Sequence, residues 1–91
     1  MAEPLTSYVL TPHALFEMGQ RGVLESVVNQ VLTALEQRIS VQPTRDVLQS
    51  RVSFPEGTYL VRVFVDADCT PAEVATVYRT SKIGKYWEKK T

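Results

Sequence analysis

Ninety-one residues are enough for one domain and too few for two, and an apolar fraction of 44% with 22% charged residues is globular and argues against disorder. Net charge is zero, so composition alone does not favour nucleic acid, yet the charge is uneven. Residues 79–91 hold Arg79, Lys82, Lys85, Lys89 and Lys90 against Glu88 alone, a local +4 that the rest of the chain balances. The single Cys69 cannot form an internal disulfide, which fits a reducing compartment. No run nears about 18 apolar residues, and the opening Met1-Ala2-Glu3-Pro4 has an acid where a signal peptide carries basic residues. The expected setting is therefore the cytoplasm, with no membrane partner.

Residues 6–10 read as a short leading strand or an extended arm. Thr11-Pro12 has the chemistry of a helix start, threonine as N-cap and proline at the first helical position. That helix is predicted to run to about Gln20, with Ala14, Leu15 and Met18 on one face, His13, Glu17 and Gln20 on the other, and Gly22 supplying a left-handed stop. A second helix follows from the spacing of Leu24, Val27, Val28, Val31, Leu32 and Leu35, with Ile39 closing the stripe.

After Ser40 the period changes. Residues 41–43 suit a short edge segment, and 46–54 a strand with Leu48, Ser50, Val52 and Phe54 on one face. Pro55-Glu56-Gly57 is hairpin-turn chemistry. Residues 58–66 form the predicted central strand, whose core face is Tyr59, Val61, Val63 and Val65, and 73–80 a third strand. Helices followed by strands signal an α+β fold, in which two N-terminal helices pack on an antiparallel sheet of three to four strands. The domain spans 1–91, with a basic tail over about 81–91 held by Ile83, Tyr86 and Trp87.

His13 is the only histidine, with Glu17 one turn on. It is either a general acid or base, or a surface residue of the helix start. Arg62 and Arg79 lie on adjacent predicted strands, where two guanidinium groups side by side suit a phosphate; the alternative is that each pairs with an acid such as Asp66 or Glu73. Tyr78, Tyr86 and Trp87 among cations match a stacking surface for single-stranded RNA, or a plug docking the C-terminus. Asp66 to Cys69 reads as a turn. No metal-ligand pattern, phosphate-binding glycine loop or nucleophile elbow is present, so neither a metal nor a cofactor is expected.

Thr11-Pro12-His13-Ala14, Met18 and Arg21-Gly22 resemble the His-Ala-x-x-Arg-Met-x-x-Arg-Gly helix of a family of small bacterial proteins. The ending Val74-Ala-Thr-Val-Tyr-Arg-Thr-Ser-Lys-Ile-Gly-Lys-Tyr-Trp87 resembles that family's terminal strand and tail. The family is similar to the RelE/ParE-like toxins. The resemblance implies a toxin of a toxin–antitoxin module, neutralised by a small antitoxin protein, with metal-independent RNA cleavage as the leading activity. On it, His13, Arg79 and Lys82 are the expected catalytic set, and Arg21, Arg62, Lys85 and Tyr86 the RNA-binding set. A non-catalytic, protein-binding member, such as a gyrase inhibitor or a regulatory domain without toxicity, is the alternative. Glu17 departs from the pattern, which has arginine there; its carboxylate repels RNA unless it orients His13.

Overall fold

The computed structural model describes residues 3–89. Met1 and Ala2, at the start read against a signal peptide, and Lys90 and Thr91, at the end of the basic tail, lie outside the described residues. In chain order the elements are β1 (Tyr8–Leu10), α1 (Pro12–Arg21), α2 (Glu25–Thr33), β2 (Gln37–Gln42), β3 (Arg45–Phe54), β4 (Gly57–Asp66), β5 (Ala72–Thr80) and α3 (Ile83–Tyr86). The strands form one sheet in the order β1-β5-β4-β3-β2, antiparallel except for β1, which runs parallel to β5.

Local chemistry sets the element ends. Thr11 Oγ1 accepts the Ala14 N–H at 3.1 Å, as an N-cap does, and donates to the Val74 carbonyl at 2.8 Å. One hydroxyl thus starts α1 and fastens it to β5. Gly22, at φ +65°, ends α1, and its N–H reaches back to the Met18 carbonyl. Pro55-Glu56 closes the β3–β4 hairpin, with Phe54 opposite Gly57 at φ +139°, a conformation that suits glycine.

Both α1 and α2 cover one face of the sheet. Ala14, Met18, Val28, Val31 and Leu32 bury there against Leu48, Val52, Val61, Val63, Val65, Val74 and Val77. Each aliphatic side chain so buried contributes about 1.5–3 kcal/mol before entropy is counted. Among the described residues no helix is long and apolar enough to cross a membrane.

The structure corrects the predicted fold class. The expected antiparallel sheet of three to four strands beneath two N-terminal helices is instead a five-stranded mixed sheet with three short helices, so the arrangement carried over from RelE/ParE-like toxins is not retained. Two causes are visible. Residues 8–10 join the sheet edge in parallel, Tyr8 opposite Ala72 and Leu10 opposite Val74. The second helix stops at Thr33, because Gln37 to Gln42 finds a better partner in β3, where Ile39 lies opposite Val47. Ile39 matched the helical stripe and the strand alternation alike, and strand pairing won. Leu24, predicted in that stripe, is the residue before the helix and is 69% exposed; Leu15 is likewise exposed.

Candidate functional site

Register decides which candidate residues meet. In the β3–β4 hairpin Gln49 lies opposite Arg62; between β4 and β5, Arg62 lies opposite Tyr78 and Val61 opposite Arg79. The pairing slips by one residue between Phe64–Thr76 and Val65–Val74, leaving Ala75 as an extra residue in β5. Without that bulge, alternation from Val74 would turn Arg79 to the same face as Arg62. With it, Arg79 joins Val77 on the helix-covered face, and Tyr78 joins Arg62 on the outer face. The two arginines expected side by side are therefore on opposite sides of the sheet.

On the outer face Arg62 stands in a cluster built around Gln49, which is fully buried. The Gln49 carbonyl accepts the Arg62 Nε–H at 2.8 Å, and its amide donates to Gln37 Oε1 at 2.8 Å and to the Tyr86 carbonyl at 3.2 Å. Arg62 Nη1 also donates to the Tyr78 hydroxyl at 2.7 Å. Its guanidinium lies 4.6 Å from the Tyr86 ring centre and 5.2 Å from that of Phe64, while Phe64 and Tyr78 stack at 6.0 Å. Lys85 Nζ approaches the Tyr86 ring at 5.3 Å. Every other arginine has a carboxylate within salt-bridge range: Arg21 with Glu17, Arg38 with Asp46, Arg45 with Asp66, Arg51 with Glu36 and Arg79 with Glu56. Arg62 has none among the described residues.

The tail is held to this face by side chains that imitate a strand pair. Gln37 Nε2 donates to the Glu88 carbonyl at 2.7 Å, and Gln37 Oε1 accepts the Glu88 N–H at 3.0 Å. The Arg51 guanidinium lies 4.3 Å from the Trp87 ring centre. Two bonds from Arg51 to Glu36, at 2.8 and 3.1 Å, and a third from the Arg51 backbone N–H fix that arginine and hold the Glu36 carboxyl below its ordinary value.

On the helix-covered side, His13, Glu17 and Arg21 form a row along α1. Glu17 Oε2 lies 3.3 Å from His13 Nε2 and 2.9 Å from Arg21 Nη1. Glu17 Oε1 accepts the Val77 N–H at 3.3 Å, and Arg21 donates to the Val77 carbonyl at 3.2 Å. Beside the end of α1, Arg79 sits between the rings of Phe54 and Tyr59, 4.4 and 4.6 Å from their centres, with Glu56 Oε1 at 3.4 Å. The Glu56 carboxyl is held below its ordinary value by its own backbone N–H and then by Arg79. Arg79 forms part of a half-open cleft of about 340 Å³ with Gly22, Leu24, Val27, Phe54 and Pro55.

The expected catalytic set thus does not gather. His13 and Arg79 sit on the helix side, each with a carboxylate, and exposed Lys82 follows the end of β5, its N–H donating to Thr80 Oγ1. Of the expected RNA-binding set, Arg62, Lys85 and Tyr86 do converge, whereas Arg21 lies on the other side against Glu17. Gln49 and Phe64 escaped the sequence reading. The two-residue turn at Pro55-Glu56 was the signal for Gln49, since counting back along the hairpin sets it against Arg62. Asp66 pairs with Arg45, and among the described residues no group of histidine, cysteine or carboxylate side chains is arranged to hold a metal. Neither a protein-family model, nor a curated protein, nor a solved structure matches the chain.

Proposed function

We propose that this protein binds single-stranded RNA on the outer face of its sheet without cleaving it, using Arg62, Phe64, Tyr78, Lys85 and Tyr86. The observation that carries the reading is Arg62: the one arginine without a carboxylate among the described residues, pinned by Gln49 and Tyr78 and ringed by aromatic side chains. Bases stack on aromatic rings and on guanidinium planes, and a cation beside them holds the backbone phosphate. Because Nε and Nη1 already have partners, the guanidinium is fixed before RNA arrives and Nη2 is left for a phosphate oxygen.

Cleavage is the weaker reading because His13 lies across the sheet from this cluster, with its Nε2 turned to Glu17. The toxin–antitoxin setting, the small antitoxin partner and the cytoplasmic location rest on the resemblance of the two end motifs and on composition. The binding reading is compatible with them.

The test is fluorescence anisotropy with a labelled single-stranded RNA of about 12 nucleotides and with a duplex of the same length. Binding to the single strand is expected to exceed binding to the duplex. Tyr86→Ala and Arg62→Ala are each expected to weaken it about tenfold or more, at ~1–3 kcal/mol per stacked base. His13→Ala should bind as the wild type does. RNA cleaved by the wild type and left intact by His13→Ala would overturn the proposal and restore the nuclease reading.

A further inference from the structure

The cleft at Arg79 is on the other side of the sheet and takes no part in the proposed RNA surface. Arg79 lines it together with Leu24 and Val27 from the start of α2 and Phe54 and Pro55 from the β3–β4 hairpin, Ser53 and Glu56 being its other polar residues. The arginine cannot swing freely, because Phe54 and Tyr59 flank it at 4.4 and 4.6 Å and it is only 18% exposed. Its one carboxylate partner is far looser. Glu56 meets it at 3.4 Å, the longest of the described arginine–carboxylate pairs, from a side chain that is 57% exposed. The position at 22 is glycine at φ +65°, and a Cβ there would meet Arg79 Nη2 at 3.7 Å, so the backbone passes close to the cation on that side.

We infer that this cleft is a binding site for a small organic acid: a monocarboxylate with an apolar body, whose carboxylate takes the place of Glu56 on Arg79. The planar guanidinium edge suits a carboxylate. The apolar walls suit an aliphatic or aryl body, and about 340 Å³ lies at the small end of ligand-pocket volumes. Leu24, at 69% exposure, is the wall such a body covers. Glu56 occupies the anion position as an exposed stand-in and swings into solvent when the ligand binds. Removing Glu56 therefore strengthens binding of an anion by more than lost repulsion alone, because a competitor for the guanidinium is gone.

The experiment uses the whole chain, 15N-labelled, titrated with 3-phenylpropionate and separately with 3-phenylpropionamide, followed by amide chemical shifts. The acid is expected to move Gly22, Leu24, Val27 and Phe54 with a dissociation constant of about 1 mM or tighter, and the amide at least about tenfold more weakly. Glu56→Gln should tighten the acid about threefold to tenfold. Arg79→Lys, which keeps the charge and loses the fork, should weaken it, and Arg79→Gln should abolish it while the spectrum stays dispersed. If Arg79→Gln unfolds, the Glu56→Gln and Arg79→Lys arms still decide. Equal binding of acid and amide, shifts confined to residues around Arg62, or weaker binding in Glu56→Gln would each overturn the inference. Arg62→Ala leaves this site intact, so its failure and that of the RNA reading are separable.

Discussion

Replacing Gln49 with leucine keeps the side-chain volume close to that of glutamine and deletes three hydrogen bonds from a fully buried position. The three losses are unequal. Gln37 Oε1 still accepts the Glu88 N–H, and the Tyr86 carbonyl lies near solvent, so water replaces both at little cost. Arg62 is half-buried and loses the acceptor of its Nε–H, a charged donor left unmatched at about 1–3 kcal/mol. A net destabilisation of about 2 kcal/mol follows, lowering Tm by about 8–16 °C for a domain of this size. Urea unfolding should show a lower midpoint at an unchanged m-value. Trp87, the only tryptophan, should shift its emission to the red as the tail loosens. The double variant Gln49→Leu with Arg62→Leu should be more stable than the sum of the single effects by about 1.5–3 kcal/mol, because neither group is then left unmatched. A single variant within about 0.5 kcal/mol of wild type, together with no coupling in the cycle, would refute the claim that Gln49 holds Arg62.

Three further outcomes follow from the described contacts. Thr11→Ala removes both the α1 cap and the bond to Val74 and should destabilise by about 1–2 kcal/mol in thermal unfolding, with Thr11→Ser recovering most of it. Deleting Ala75 takes out the extra residue and lets Thr76 follow Val74 directly, opposite Phe64 and Val65, so Val77 keeps the helix-covered face and Tyr78 the outer one; cooperative thermal unfolding should persist, and its loss would refute the assignment of Ala75 as the extra residue. Glu36 is held below its ordinary value near 4.5 by Arg51, so its contribution is present above pH 4.5 and is lost as pH falls through the lowered folded value. A carboxyl NMR titration should find Glu36 below 4.5 in the wild type and near it in Arg51→Gln.

What could be read in the sequence was what is local. Thr11-Pro12 and Gly22 bracket α1 because capping and left-handed backbone are decided by one or two residues. The β3–β4 hairpin was legible from Pro55-Glu56-Gly57, although the turn itself holds only Pro55 and Glu56, and Gly57, already in β4, pairs with Phe54. The β4–β5 pairing was not legible. Its connection is longer, and a one-residue bulge within β5 chooses the face on which Arg79 emerges, a choice made by packing of Val77 against the helices. The same limit hid the parallel placement of β1, which is three residues long and depends on partners more than 60 residues away. Candidate chemistry inherited these limits: Arg62, Lys85 and Tyr86 came together, the side-by-side placing of Arg62 and Arg79 failed at the bulge, and the set of His13, Arg79 and Lys82 implied by the resemblance does not gather.

The row along α1 also bears on how the chain stays apart from its own copies. β1 covers β5 only from Ala72 to Val74, so from Val77 onward that strand would present bare peptide groups to any passing chain. Glu17 and Arg21 meet the Val77 N–H and carbonyl as a neighbouring strand would, one side chain accepting and the other donating. An arginine at position 17 carries only donors and would leave that N–H open beside a second cation. The acid is thus a guard on an edge, and a chain in which α1 lifts away becomes a template for strand addition along β5 from Val77 onward. Glu17→Arg is then a change whose first consequence is association of the chain with itself.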